Sequence, residues 1–179
     1  MTHIRAYIEL QDNKIYIMKG GTMNLPIKAF GLEGESNEVI EIIIKKIYAD
    51  DIDKTSHLGG YDLVGAINIR MGNYVVNNAR IVSSTGILSD FLASLKSCYS
   101  ELNETAKFIN NPYEHNLTFD LQITTQGHVI IEGEYRENFA SSTKLVFEMY
   151  TDQTYLQNTI NELQHIENLY GNKFGKRAY

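Results

Sequence analysis

The chain has 179 residues, with 16 Lys or Arg against 22 Asp or Glu and a formal net charge of -6 at neutral pH. Its 43% of hydrophobic residues excludes disorder for the bulk of the chain, because burying that much apolar side chain offsets the entropy of ordering. The length predicts one domain over residues 1–179, the acidic balance argues against a nucleic-acid-binding module, and the single cysteine excludes an internal disulfide.

The sequence shows no targeting or membrane segment. The N-terminus lacks the apolar stretch of a signal peptide. The longest apolar run, Val39 to Ile44, is interrupted by Glu41 and is much shorter than the roughly 20 residues of a membrane helix. We therefore expect a soluble cytoplasmic protein without a membrane partner.

The first 37 residues carry the weakest pattern. Alternation from Ile4 to Leu10 and the run Lys14 to Ile17 predict two strands joined by a turn at Asp12-Asn13. Residues 19–37 are rich in glycine and contain a proline, so we interpret them as an irregular connection with at most a short strand. Within them, Gly31-Leu32-Glu33-Gly34 resembles half of a nucleotide-binding fingerprint, and we interpret it as a loop.

Alternating and β-branched runs predict three further strands before the first helix. The segment Glu38 to Tyr48 is compatible with a strand or a buried helix, and its β-branched residues favour the strand. Leu63 to Ile69 and Tyr74 to Val82 alternate with period two around a turn at Met71-Gly72-Asn73.

Two amphipathic helices are predicted, over about residues 86–102 and 152–170. Ser84 or Thr85 can cap the first, whose polar face is predicted to include Ser89. Asp152 can cap the second, and Gly171 ends it. The tail 172–179 is basic, and we expect it to be frayed.

Three alternating runs in the second half predict an antiparallel meander: Leu117 to Ile123, Val129 to Tyr135, and Leu145 to Met149. Each strand has one apolar face and each helix one apolar stripe. The predicted fold class is therefore α+β, with antiparallel sheet and two helices packed on it. Both halves run from strands into a capped helix, which either reflects an internal duplication or is simply a common order of elements.

The search for catalytic or metal-binding motifs finds none. The histidines show no pairing at metal-ligand spacing, and we interpret all five as surface or turn residues: His3, His57, His115, His128 and His165. Cys98 lies near the C-terminal end of the first helix, where the helix dipole disfavours a thiolate. We interpret it as a packing thiol, and we predict no cofactor and no metal.

Carboxylates form two groups. Asp50, Asp51 and Asp53 follow a predicted strand, and they are compatible with a cation site, an acidic patch for a basic protein partner, or a solvated turn. Glu132 and Glu134 lie on one strand face, with Lys144 or Arg136 close enough in sequence to neutralise them. Several tyrosines at polar positions are either interface residues or flank the core: Tyr7, Tyr16, Tyr150 and Tyr155.

Three motifs of the second half occur in order. Gly127-His128 opens a hydrophobic strand, Leu145-Val146-Phe147 lies in the next strand, and Asp152-Gln153-Thr154-Tyr155-Leu156 begins the helix. With these motifs, and with a similar strand and helix order between Asp62 and Leu102, the chain resembles the WapI-type bacterial immunity proteins over about residues 60–168. The first 37 residues and the basic tail depart from that family's pattern.

The resemblance implies a cytoplasmic protein that protects its maker from polymorphic toxins exchanged between bacteria in contact-dependent inhibition. Members bind the effector domain of a toxin, and most of these toxins are nucleases that act on RNA. The immunity proteins themselves carry no catalytic residues. We therefore predict an immunity protein, not an enzyme, that blocks the active site of a cognate toxin domain and binds neither nucleic acid nor membrane. Its predicted partner-binding residues are Asp50, Asp51, Asp53, Glu132 and Glu134.

Two other functions remain open from the sequence. One is a small ligand-binding or enzymatic α+β domain with its site near the acidic cluster Asp50 to Asp53. The other is an accessory protein that assembles through an exposed strand edge.

Overall fold

The computed structural model describes residues 8–11, 14–17, 25–49, 55–101, 104–138 and 142–175. These residues form the strands β1 (Ile8–Gln11), β2 (Lys14–Ile17), β3 (Ile27–Glu33), β4 (Val39–Ile47), β5 (Asp62–Met71), β6 (Tyr74–Ser84), β7 (Thr105–Ile109), β8 (Leu117–Ile123), β9 (His128–Tyr135) and β10 (Leu145–Asp152), and the helices α1 (Thr85–Ser100) and α2 (Gln153–Tyr170). No helix in the described ranges is long and apolar enough to cross a membrane.

The strands form two antiparallel four-stranded sheets. The first sheet has the order β3-β4-β5-β6 and the second has the order β10-β9-β8-β7, while β1 and β2 form a separate hairpin. Both helices lie close to their predicted boundaries, and the predicted α+β class is confirmed.

The two halves of the fold have the same order of elements. In each half, four consecutive strands pair as neighbours and lead directly or nearly directly into a helix. The two helices pack closely on each other, and among the strands α2 packs mainly on β3 and α1 mainly on β7, so each helix contacts the first strand of the other half. This order of elements favours the interpretation as an internal duplication at the level of topology.

Both helix starts carry the predicted caps. The Ser84 hydroxyl accepts a hydrogen bond from the Ile87 amide at 3.2 Å, and the Asp152 carboxylate accepts one from the Thr154 amide at 2.9 Å. That hydrogen bond also lowers the pKa of the Asp152 carboxyl. Helix α2 ends at Gly171, whose φ of 88° lies in the left-handed region.

A cluster of four buried phenylalanines joins both sheets to α1. Phe30 comes from β3, Phe91 from α1, Phe108 from β7 and Phe119 from β8, and their contacting ring centroids are 5.1 to 5.5 Å apart. Such separations allow edge-to-face and stacked contacts in addition to apolar burial. The two sheets therefore share one apolar core.

Strand β3 corrects the interpretation of residues 19–37 as irregular and of Gly31 to Gly34 as a loop. Residues 27–33 form a complete strand paired with β4. Its outer edge is bonded to α2, because the Gly31 amide donates to Glu162 at 2.9 Å and the Thr159 hydroxyl donates to the Gly31 carbonyl at 2.6 Å. The partners of Gly31 lie more than a hundred residues away in the sequence. The glycine-rich local composition therefore predicts a loop where these distant contacts stabilise a strand.

Two further features differ from the sequence interpretation. Strand β7 was not predicted, because its alternation of exposed Thr105 and Lys107 with buried Ala106 and Phe108 extends over only five residues. Ser89, placed on the polar face of α1, is buried and donates a hydrogen bond to Glu167 of α2 at 2.6 Å. Contacts between the helices therefore include a polar one.

Replacing Thr159 with valine tests the bond that fixes α2 on β3. The change keeps the β-branched shape but leaves the buried Gly31 carbonyl without its donor, so we expect the free energy of unfolding to fall by about 1–3 kcal/mol. Urea unfolding measures it. Thr125→Val, at an exposed turn, should change stability by less than about 0.5 kcal/mol, and an equal effect of the two changes would contradict the role of Thr159.

Candidate functional site

The outer face of the second sheet is open to solvent. Side chains of β7 to β10 alternate between the core and this face, as period-two patterning requires. The outward side chains are exposed or half-buried, and we call them the outer face: Lys107, Thr118, Asp120, Gln122, Ile130, Glu132, Glu134, Val146, Glu148 and Tyr150.

Three carboxylates form a straight row across this face. Asp120 lies directly opposite Glu132, and Glu132 lies directly opposite Glu148. We call these three residues the acidic row. Like charges directly opposite on neighbouring strands destabilise a sheet, so the row is a local cost to the fold.

The pairing pattern brings Glu132 and Glu148 especially close. The Tyr150 carbonyl accepts a hydrogen bond from the Glu35 amide at 2.9 Å, so Tyr150 directs its backbone groups away from β9. Backbone direction alternates along a strand, and Glu148 therefore shares that direction. The opposed residues Glu132 and Glu148 are thus a non-hydrogen-bonded pair, in which Cα atoms approach to about 4.5 Å.

Little positive charge compensates the row. Lys107 lies 3.5 Å from the Asp120 carboxylate, whereas Glu132 and Glu148 make no ion pair with any residue that the structure describes. The Tyr150 hydroxyl donates a hydrogen bond to Glu148. This bond, desolvation and the negative charges of Glu148 and Glu132 raise the pKa of Tyr150.

Glu134 differs from Glu132 although both lie on the same face of β9. Arg136 lies 2.9 Å and Lys144 2.7 Å from the two oxygens of the Glu134 carboxylate. These two hydrogen-bonding cations lower the pKa of Glu134. Glu134 is therefore neutralised within the chain, and Glu132 carries the charge available to a partner.

The structure brings together some of the predicted partner-binding residues and adds others. Glu132 and Glu134 share the outer face as predicted, whereas Asp50, Asp51 and Asp53 lie outside the described residues. Asp120 was not among the predicted residues. Two features of the sequence could have identified Asp120 as a neighbour of Glu132. It is one of the polar residues that alternate with apolar ones in β8, and pairing across the Gln126-Gly127 turn places it opposite Glu132.

A cleft of about 520 Å³ borders the acidic row, between β10 and the turn that joins β5 to β6. Tyr74 and Val146 line it with side chains that are 70% and 63% exposed. Glu38 and Glu148 also line it. This margin of the outer face therefore carries apolar and acidic groups together with Lys144.

The structure describes the side chains of two of the four tyrosines that were predicted as possible interface residues. Tyr150 and Tyr155 expose about half of their side chains, at 50% and 52%. Tyr7 and the side chain of Tyr16 lie outside what the structure describes. Tyr150 is the one that adjoins the acidic row, through its hydrogen bond to Glu148.

In the described ranges, the histidines and Cys98 are not arranged for catalysis. Within the described part of the chain, no three His, Cys, Asp or Glu side chains are placed to hold a metal ion. Burial raises the pKa of the Cys98 thiol, the opposite of what a nucleophile needs, and the thiol donates to the Glu104 carbonyl at 3.0 Å. The four described histidines are exposed: His57, His115, His128 and His165.

Comparison with known proteins identifies a family. The model of the immunity protein WapI-like family matches residues 31–171, which is most of the chain and includes both four-stranded sheets almost entirely. No curated protein matches the chain. The matched range contains the whole acidic row.

Proposed function

The chain belongs to the immunity protein WapI-like family, and from this membership we propose that it binds and neutralises a cognate toxin domain in the bacterial cytoplasm. The action is stoichiometric and needs no catalysis. The toxin domain is a nuclease, and the bound immunity protein blocks its active site.

The acidic row is the observation that supports a nuclease partner. A nuclease binds the phosphates of its substrate with lysine and arginine side chains. Asp120, Glu132 and Glu148 offer three carboxylates in one line, and among the described residues only Lys107 forms an ion pair with them, so they present negative charge to such a groove. Charge complementarity of this kind accelerates association and competes directly with nucleic acid.

Exposed apolar side chains beside the row supply the second component of binding. Tyr74, Val146 and Tyr150 are each at least half exposed and adjoin the row or its cleft. Tyrosines at the centre of an interface contribute a large share of affinity at small entropic cost. We propose Asp50, Asp51 and Asp53 as a further acidic contact of the same partner.

Co-purification with the toxin domain encoded beside this gene tests the proposal. We expect a 1:1 complex in which nuclease activity falls in proportion to the immunity protein added. The triple change D120N/E132Q/E148Q should weaken binding by about tenfold or more, because it removes the charge that meets the toxin. Its fold should be retained, since removing the mutual repulsion favours the sheet.

A matched triple change controls for net charge. D62N/D90N/E101Q removes three exposed carboxylates outside the outer face and should leave the affinity within about threefold. Absence of any complex with the wild-type chain would contradict the proposed function. Equal weakening by the two triple changes would show that net charge acts without the row.

A further inference from the structure

We propose that the edge of β10 binds an extended basic segment of the toxin domain, which adds to the second sheet as a fifth strand. This inference rests on the proposed function and specifies how the partner is held. Addition of a strand to an open sheet edge supplies affinity through backbone hydrogen bonds and specificity through alternate side chains.

The backbone of β10 offers unpaired groups along this edge. Strand β10 is the outermost strand of its sheet, and the outward direction of Tyr150 extends to Glu148 and Val146. Within the described residues, the outward amides and carbonyls of Val146 and Glu148 have no hydrogen-bond partner, whereas the Tyr150 carbonyl is bonded to Glu35. Over the segment that borders the cleft, no residue that the structure describes pairs with this edge.

The other sheet edges are less suited to accept a strand. Strand β3 is bonded to α2 through Gly31, and β7 is covered by α1. Strand β6 is an edge too, but it is interrupted by a register shift beside Asn78, which has a φ of 56°, and it carries Arg80. Bulges and charges of this kind protect an edge from pairing.

The side chains around the open edge determine the chemistry of the added strand. On the outer face, the position opposite Glu148 on the added strand lies in line with the acidic row. A lysine or arginine at that position compensates the charges of Glu148 and Glu132. Tyr74 and Val146 line the cleft beside this edge with largely exposed side chains, and they offer apolar contact to the added strand. Lys144 does not offset this preference for a basic segment, because it is already paired with Glu134.

A second copy of this chain fits the same edge poorly. Pairing of two β10 strands about a two-fold axis near Val146 and Glu148 places the two Glu148 side chains, each already beside Glu132, near one another. Like charges so placed destabilise the pairing. The charge of the edge therefore favours a basic partner over self-association.

A proline at position 146 tests whether the edge of β10 binds the partner, because it removes an outward amide and no hydrogen bond to β9. Val146→Pro removes the outward amide, and proline is tolerated in edge strands at positions whose N–H faces solvent. We expect V146P to weaken toxin binding by about tenfold, equivalent to about 1.4 kcal/mol, the size of a lost hydrogen bond. Val146→Thr keeps the amide and the β-branched shape and changes only the side-chain contact, so V146P should bind more weakly than V146T, because only the proline removes the amide.

Amide hydrogen exchange of the wild-type complex gives a second, independent readout in case V146P fails to fold. The amides of Val146 and Glu148 should exchange rapidly in the free protein and slowly in the complex. Wild-type affinity of a folded V146P, or unchanged exchange at both amides in a formed complex, would overturn the strand addition and leave the proposed function standing. No complex at all would overturn the proposed function, and protection of these amides in a homodimer would assign the edge to self-association.

Discussion

Replacing Phe108 with alanine is expected to lower the free energy of unfolding by about 3–5 kcal/mol, a large part of the stability of an ordinary domain. Phe108 contacts Phe30, Phe91 and Phe119, with ring centroids 5.4, 5.2 and 5.1 Å away. It is 1% exposed, so its loss leaves a cavity at the junction of both sheets and α1. Urea unfolding followed by circular dichroism measures the change.

Phe174→Ala is the matched control. Its ring is 63% exposed, and its removal should change stability by less than about 0.5 kcal/mol. A loss below about 1 kcal/mol for Phe108→Ala would contradict the structure, because it would mean that β7 does not seal the core between the sheets.

Replacing Gly86 with alanine should destabilise the protein, although alanine is normally the better helix former by about 1 kcal/mol. A Cβ at position 86 would lie 2.4 Å from the Gly59 carbonyl carbon and 2.5 Å from its oxygen. The Gly59 carbonyl also accepts a hydrogen bond from the Gly86 amide at 3.2 Å, so the loop and the helix start are in contact. We expect a loss of about 1–3 kcal/mol from this overpacking.

Thermal and urea unfolding of Gly86→Ala would measure the loss, and Ala93→Gly provides the comparison. Ala93 is exposed in the same helix, and its replacement should cost about 1 kcal/mol from helix propensity alone. If Gly86→Ala stabilised the protein by the amount that helix propensity gives, the close packing of the 59–60 loop on α1 would be wrong.

Sequence patterning predicts those elements that have one buried and one exposed face over a long enough run. Strands β8 to β10 show clean alternation because one of their faces is buried and the other is the outer face. Helices α1 and α2 show an apolar stripe together with a capping side chain, Ser84 or Asp152, at the start. In these segments the composition and the periodicity agree with the tertiary environment.

Strands β3 and β7 are the elements that patterning misses: β3 is buried continuously from Ala29 to Leu32, and β7 alternates over only five residues. Each is the first strand of its half, lies at a sheet edge and is covered by the helix of the other half. The partner of Gly31 is more than a hundred residues away, at Thr159 and Glu162. Such contacts leave no periodic trace in the local sequence.

In the candidate site, the sequence predicts which carboxylates share a face but not which of them are neutralised. Glu132 and Glu134 are equivalent in the sequence pattern, yet Arg136 and Lys144 neutralise only Glu134. The difference depends on the register of β9 against β10, which fixes Glu132 opposite Glu148 and Glu134 opposite Val146. Register across the longer connection from β9 to β10 is not set by patterning alone.

The acidic row places three of the chain's excess carboxylates together on one exposed face. An excess of carboxylates alone indicates only solubility. Three carboxylates in direct register lie beside exposed tyrosine and valine side chains and beside a strand edge that no described residue pairs with, so the charge of this surface is complementary to a basic segment. We propose that the family's protective role is exercised here through this surface.

Titration of the purified toxin domain at two salt concentrations tests this central claim most directly. At about 50 mM salt the wild-type chain should bind much more tightly than at about 500 mM, because salt screens the charges of the exposed row. The D120N/E132Q/E148Q variant should bind more weakly at low salt and show a smaller salt dependence than the wild type. Equal affinities and equal salt dependence of the wild type and this variant would contradict the account.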